Sequence, residues 1–222
     1  MISKYCIGAV ALGLLVPAVG AQVDDAARIQ AVCWDHSRSQ QANIGVCLSL
    51  VREGKVSRPY FSSVYREVAF AFYELGDVVQ AIAFTRKEIE ILLENMKSQL
   101  NSRNISPMAR EALPKVVSYG YRRLGQYYAL ARLKDTRQDS AEARQYAKDE
   151  LQSYNSAILF DASNHAAIMA RAGIQSQFCE AAAAEMDKAR AIKIAESTGD
   201  ERSLREYRSA FLPMCEPTWR AK

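Results

Sequence analysis

The sequence predicts an all-α protein built from antiparallel helical hairpins stacked in series and closed by two disulfides. Three observations carry this. Apolar residues recur at three- and four-residue steps nearly throughout, and no segment alternates apolar and polar residues between hairpin-turn signals. Only 10 of the 222 residues are glycine and 6 are proline, and they fall where helices should stop. The helical segments come in pairs joined by short polar turns, which makes neighbours antiparallel.

The N-terminus, MISKYCIGAVALGLLVPAVGAQ, has one lysine, then an apolar run from Tyr5 to Val16. That run is about a dozen residues, against the roughly 20 a spanning helix needs. Pro17 breaks it, and Val19-Gly20-Ala21 has the small-residue spacing a signal peptidase accepts. Residues 1–21 therefore read as a secretory signal. Cys6 lies inside the apolar run and no cysteine follows the small residues, so a lipid anchor is not indicated. Removing 1–21 takes one lysine and lowers the net charge from +4 to +3. The charges are interspersed, without the basic stripe of a nucleic-acid binder, and no later segment is apolar enough to insert in a membrane.

Four cysteines then remain, Cys33, Cys47, Cys179 and Cys215, and an even number in an exported chain reads as disulfides. Of three connectivities, Cys33–Cys47 and Cys179–Cys215 are favoured because each pair brackets neighbouring helical segments. Each bond typically adds about 2–4 kcal/mol. A zinc site of Cys33, Asp35, His36 and Cys47 would need reduced thiolates and fits no closed zinc spacing. Trp34 then reads as packing beside the bridge and His36 as a surface or capping residue.

Two short helices fill 22–58, the stapled N-terminal pair, with Gly54 and VSRPY ending it. From Tyr60 onward one helix runs to a turn at Gly76-Asp77, and a long one follows with Val78, Ile82, Ile89, Leu92, Met96 and Leu100 at helical spacing. NSRNISP is a loop. The next helix is expected to kink or restart at Pro114. Asp139 and Glu142 make a capping box for the helix through Phe160. DASN turns into another pair. Gly199 and Asp200 stop one helix and cap the last, which is expected to run to Leu212 before Pro213.

Within 59–195 a spacing repeats. Tyr65, Val68, Ala69 and Phe72, then Gly76-Asp77-Val78 and Ala81, are matched by Tyr121, Leu124, Gly125 and Tyr128. AILFDASNHAA at 157–167 looks like one repeat running into the next, with Ala162 where proline is usual. This resembles the tetratricopeptide repeat family, in divergent form. Its period is about 34 residues, whereas Ala69, Gly125 and Ala170 lie 56 and then 45 apart. The small residue lets the second helix approach, so Gly125 is read as a packing position that should accept alanine and reject leucine. Residues 196–222 would cap the array.

The resemblance implies a peptide-binding groove lined by the first helix of each pair. With Ala69 and Phe72 facing inward, helical phase puts Arg66, Phe70 and Tyr73 on the other face, then Tyr119, Arg122 and Gln126, then Arg171 and Gln175. Arginines among aromatic rings suit another protein's extended acidic segment or a carboxylate. The family's lysine and asparagine carboxylate clamp is not reproduced.

Chemistry is sparse. There are two histidines, His36 and His165, and no nucleophile elbow, HExxH or phosphate loop. Glu196-Ser197 matches two letters of a lytic transglycosylase pair, with too little chain after it for a lysozyme-like domain. The expectation is a non-enzyme without catalytic residues, metal or cofactor. It would be an exported binding module of the bacterial envelope, periplasmic or secreted, serving as adaptor or assembly factor. The alternative is an immunity protein that neutralises a toxin or enzyme.

Overall fold

The computed structural model describes residues 19–35, 37–135, 140–213 and 215, with side chains from Asp25 onward. Of the expected signal 1–21, residues 1–18 lie outside these residues, as do His36 and Asp139. Among the described residues there are nine α-helices, one 3-10 turn and no strand. The helices are α1 (Val19–Cys33), α2 (Gln40–Arg52), α3 (Phe61–Glu74), α4 (Val78–Leu100), α5 (Pro107–Lys134), α6 (Ala141–Phe160), α7 (His165–Gln177), α8 (Ala181–Thr198) and α9 (Glu201–Ser209).

Their starts are set by side chains that accept a backbone N–H of the first turn. Ser39 accepts from Ala42, Asp77 from Gln80, Ser106 from Ala109, Asn164 from Ala167 and Asp200 from Ser203. The cap of α6 is Ser140, which accepts from Ala143 at 2.9 Å, and not the expected Asp139. Glu142 instead accepts from the Tyr146 hydroxyl. Gly76 (φ +79°) and Gly199 (φ +70°) supply the left-handed turns that end α3 and α8. The helix does not restart at Pro114: α5 is continuous for 28 residues. Packing on both sides offsets the roughly 3 kcal/mol an interior proline costs. The last helix stops at Ser209, short of Leu212, and the expected boundary at 195/196 falls inside α8.

The helices pack as α3/α4, α5/α6 and α7/α8 hairpins, each joined to the next through α4 on α5 and α6 on α7. The α1/α2 pair leans on α3, and α9 closes the other end on α8. Ala69 and Ala81 are fully buried at the first hairpin's crossing, as the repeat spacing requires. On α7, however, full burial falls to Ala167 and Ala172, and Ala170 is half-buried. Both expected disulfides are present, with Cα–Cα distances of 4.9 Å for Cys33–Cys47 and 4.6 Å for Cys179–Cys215. The second holds a C-terminal strap over α7 and α8, where Ser176 Oγ donates to the Pro213 carbonyl and Lys188 Nζ to that of Ala210.

The second helix of each hairpin buries one acid on its small-residue stripe, three residues after a fully buried small side chain: Glu88 after Thr85, Glu150 after Ala147, and Asp187 after Ala184. Each meets an arginine. Arg123 Nη2 donates to Glu88 at 2.7 Å, Arg132 Nε to Glu150 at 3.0 Å, and Arg171 grips Asp187 with two bonds of 2.6 and 2.8 Å. Burial pushes the Glu150 carboxyl up to about 7, against the opposing pull of Arg132.

Two outcomes follow from this packing. A Cβ on Gly125 would lie 2.6 Å from Tyr154 Cε1 and 2.9 Å from Cζ, and that ring is itself buried. The expected tolerance of alanine is therefore corrected: Gly125→Ala should cost about 1–3 kcal/mol. Tyr154→Leu in the same chain should recover part of that loss, a coupling measurable by urea melts; an alanine variant as stable as wild type would remove the close contact. The second outcome concerns Glu150. Its native pKa lies above the unfolded 4.5, so the native state holds the proton more tightly. Stability should then fall as pH rises from about 4.5 to 7, by up to about 3 kcal/mol. Glu150→Gln should abolish that fall in melts across the range, and parallel pH profiles for the two proteins would contradict it.

Candidate functional site

On α3 the phase read from the sequence places Arg66, Phe70 and Tyr73 along the outer side. Phe70 is 46% and Tyr73 38% exposed, and their ring centroids are 6.1 Å apart. Tyr73 stacks at 5.5 Å on Tyr127 of α5, which the sequence reading missed. Burial raises the Tyr127 hydroxyl above the usual phenol range. Arg66 is already engaged, its Nε donating to Glu67 Oε1 at 3.0 Å. Glu67 Oε2 in turn accepts from Trp34 Nε1 at 2.7 Å. Trp34 is thus not core packing beside the bridge; it is 48% exposed and tied to α3.

Behind this lies Glu88 of α4. Burial raises its pKa, while Arg123 and then Arg66 pull it down, and its Oε2 has no hydrogen-bond partner. An acid at position 88 was visible as a break in the stripe Ala81, Thr85, Leu92. Its arginine, 35 residues later, had no local signal.

On α5, Tyr119 is 49% exposed and the Arg122 guanidinium stands 5.3 Å over its ring. Among the described residues Arg122 has no carboxylate partner, and its Nε is sealed from solvent without a hydrogen bond. Burial lowers the guanidinium pKa, with Tyr119 opposing. Gln126 is exposed beside it. On α7 the picture differs. Arg171, besides its fork to Asp187, donates from Nη1 to Asn155 Oδ1 at 2.8 Å, so Nε, Nη1 and Nη2 all have acceptors within the chain. Gln175 Oε1 is buried and unpartnered. The structure therefore brings Tyr73 of α3 against Tyr127 of α5, and it holds Arg171 as an internal tie.

Among the described residues no group of three histidine, cysteine, aspartate or glutamate side chains could hold a metal. His165 Nδ1 lies 3.0 Å from the Tyr207 hydroxyl and its Nε2 3.6 Å from Asp200, a contact that latches α9 onto α7. Glu196 accepts from Arg208 Nη2 at 2.5 Å. No helix among the described residues is long and apolar enough to cross a membrane.

No protein-family model matches the chain, and no curated protein matches it. Among solved structures it is similar to the TPR2AB domain of yeast Sti1, from a structure described as a complex with pHSP90. Identity is 18% over 76% of each chain, with a TM-score of 0.27. A likeness this loose assigns neither ligand nor activity to this chain.

The two arginines that helical phase put on one face should separate in stability measurements. Arg171→Met leaves Asp187 buried without a counter-charge and should cost about 3–5 kcal/mol. Arg122→Met removes a cation with no acid beside it and should be neutral or stabilising, within about 1 kcal/mol. Equal losses from the two in denaturant melts would contradict the assignment.

Proposed function

We propose that this chain is an exported, non-enzymatic protein-binding module of the bacterial envelope, an adaptor or assembly factor. It takes an extended acidic segment of a protein partner on the face formed by α3 and α5. Export is supported by the N-terminal segment, with its lysine, short apolar run and small-residue end, and by two disulfides, which belong to oxidising compartments.

The observation that carries the binding reading is the state of Arg122. Arg66, Arg123, Arg132 and Arg171 each have an acid of this chain in contact, at 2.6 to 3.0 Å. Arg122 has none, and it sits on an aromatic ring beside an exposed glutamine. A planar guanidinium held on a ring presents its remaining donors in the fork that suits a carboxylate.

The test begins with the exported protein captured with its partners, its intact mass showing an N-terminus at Gln22 and the loss of about 4 Da for two disulfides. The partner's affinity is then measured by calorimetry for wild type and Arg122→Met over a salt series. The expected result is at least a tenfold loss, about 1.4 kcal/mol, that shrinks as salt rises. A variant that binds as tightly as wild type at low salt removes this face. A captured enzyme that loses activity on binding would make the protein an inhibitor of the immunity type.

A further inference from the structure

An open cleft of about 280 Å³ lies between α4 and α5, lined by Arg86, Ile89, Glu90 and Leu93 of the first and by Tyr121 and Leu124 of the second. Ile89 and Leu124 are buried, and Tyr121 is held by stacking at 5.7 Å on Phe160 of α6. Arg86 and Glu90 are exposed. They stand one helical turn apart, a spacing that commonly gives a salt bridge. Arg202 and Glu206, at the same spacing and in the same order, make one at 3.4 Å. Arg86 and Glu90 do not. The Arg86 guanidinium is drawn onto Tyr128 instead, 5.6 Å from its ring centroid, with Nη2 donating to its hydroxyl. Among the described residues Arg86 has no carboxylate partner, and its Nε and Nη1 have no acceptor. Glu90 makes no salt bridge among them either; Arg58, which feels its charge, is taken by Glu94 at 2.7 Å. The cleft is separate from the Arg122 face, since Tyr121 and Leu124 are turned about 100° and 160° from Arg122 around α5.

We infer that this cleft binds a free α-amino acid with a large apolar side chain, its carboxylate on Arg86, its ammonium on Glu90 and its side chain against Leu93 and Tyr121. Charge complementarity selects that occupant. The lining holds one cation and one anion, neither cancelled by the other, and their Cβ atoms are about 5–6 Å apart on one helix face. A zwitterion carries both opposite charges on a single carbon. A plain fatty acid would set its carboxylate beside Glu90 with nothing to offset the repulsion, and a plain amine would meet Arg86 in the same way. A residue inside a partner's chain has neither charge on its backbone. Size agrees, because the volume falls just below the roughly 300–1,000 Å³ of clefts that take drug-sized ligands. The apolar lining then distinguishes leucine or phenylalanine from glycine. This site goes beyond the binding face proposed above and does not depend on it.

The test is calorimetry on the full chain with its disulfides formed, using L-leucine, L-phenylalanine, glycine, N-acetyl-L-phenylalanine and L-phenylalaninamide. Leucine or phenylalanine should bind one to one with a dissociation constant below about 1 mM, a reasonable range for so small a ligand. Glycine and the two blocked forms should each bind at least tenfold more weakly. The variants should then cross over. Arg86→Met should weaken phenylalanine at least tenfold and no longer prefer it to the amide, which lacks the carboxylate. Glu90→Gln should no longer prefer it to the acetylated form, which lacks the ammonium. Both positions are exposed, and melts check that both variants fold. Arg122→Met should bind phenylalanine as wild type does. The inference is overturned if neither leucine nor phenylalanine saturates the protein by about 10 mM. It is also overturned if the blocked forms bind as tightly as the free acid, or if Arg86→Met and Glu90→Gln keep the wild-type preferences. Loss of binding in Arg122→Met alone would move the ligand to the α3/α5 face and overturn this site.

Discussion

A carboxylate taken out of water must be met by a cation, or the helices around it cannot close. This chain imposes that condition three times, at Glu88, Glu150 and Asp187. The supply of arginines then fixes which helices must meet. Asp187 and Glu150 draw on the first helix of their own hairpins, through Arg171 and Arg132. Glu88 draws on the following hairpin, through Arg123. Helix α5 therefore serves two neighbours. It offers Gly120 and Arg123 to α4, whose Ile89 would lie 3.1 Å from a Cβ on Gly120, and Gly125 and Arg132 to α6. Two interior glycines and Pro114 make α5 a poor helix alone, by several kcal/mol. It is helical because both faces are claimed.

That dependence explains what could be read from the sequence. Helix positions and turns were legible because periodicity, caps and glycines act within a few residues: Asp77, Gly76, Gly199 and Asp200 do what their types suggest. The cap at Ser140 was misassigned by one residue because Asp139 offers the same chemistry. Gly125 was recognised as a packing position, but its intolerance of alanine comes from the ring of Tyr154 on the next helix, and no pattern around Gly125 announces it. Pro114 was judged by its local cost, which tertiary packing overrides.

The candidate face was legible in outline for the same reason and blurred for the same reason. Helical phase put Arg66, Arg122 and Arg171 on one side of successive first helices. Phase says nothing of what waits opposite. Asp187, 16 residues after Arg171, turns that arginine into a structural tie. Glu67, its own neighbour, occupies Arg66. Trp34 belongs to the stapled pair rather than to the repeats, so a search confined to repeat phase passed over it.

What distinguishes Arg122 is therefore a comparison inside one molecule. The arginines beside the buried acids are paired, even where the acid comes from another hairpin, whereas Arg86 and Arg122 stand over tyrosine rings, Arg86 donating to the Tyr128 hydroxyl. A ring beneath a guanidinium compensates part of the lost hydration, about 0.5–2 kcal/mol, but cannot satisfy the donor directions that a carboxylate fills. The Nε of Arg122 is sealed and unbonded, so the remaining cost is borne by the free protein. An anion arriving on the Tyr119 ring would meet a cation that no internal acid has to release, and that absence of competition is what favours this position over Arg66 or Arg171 as the charged contact of a partner.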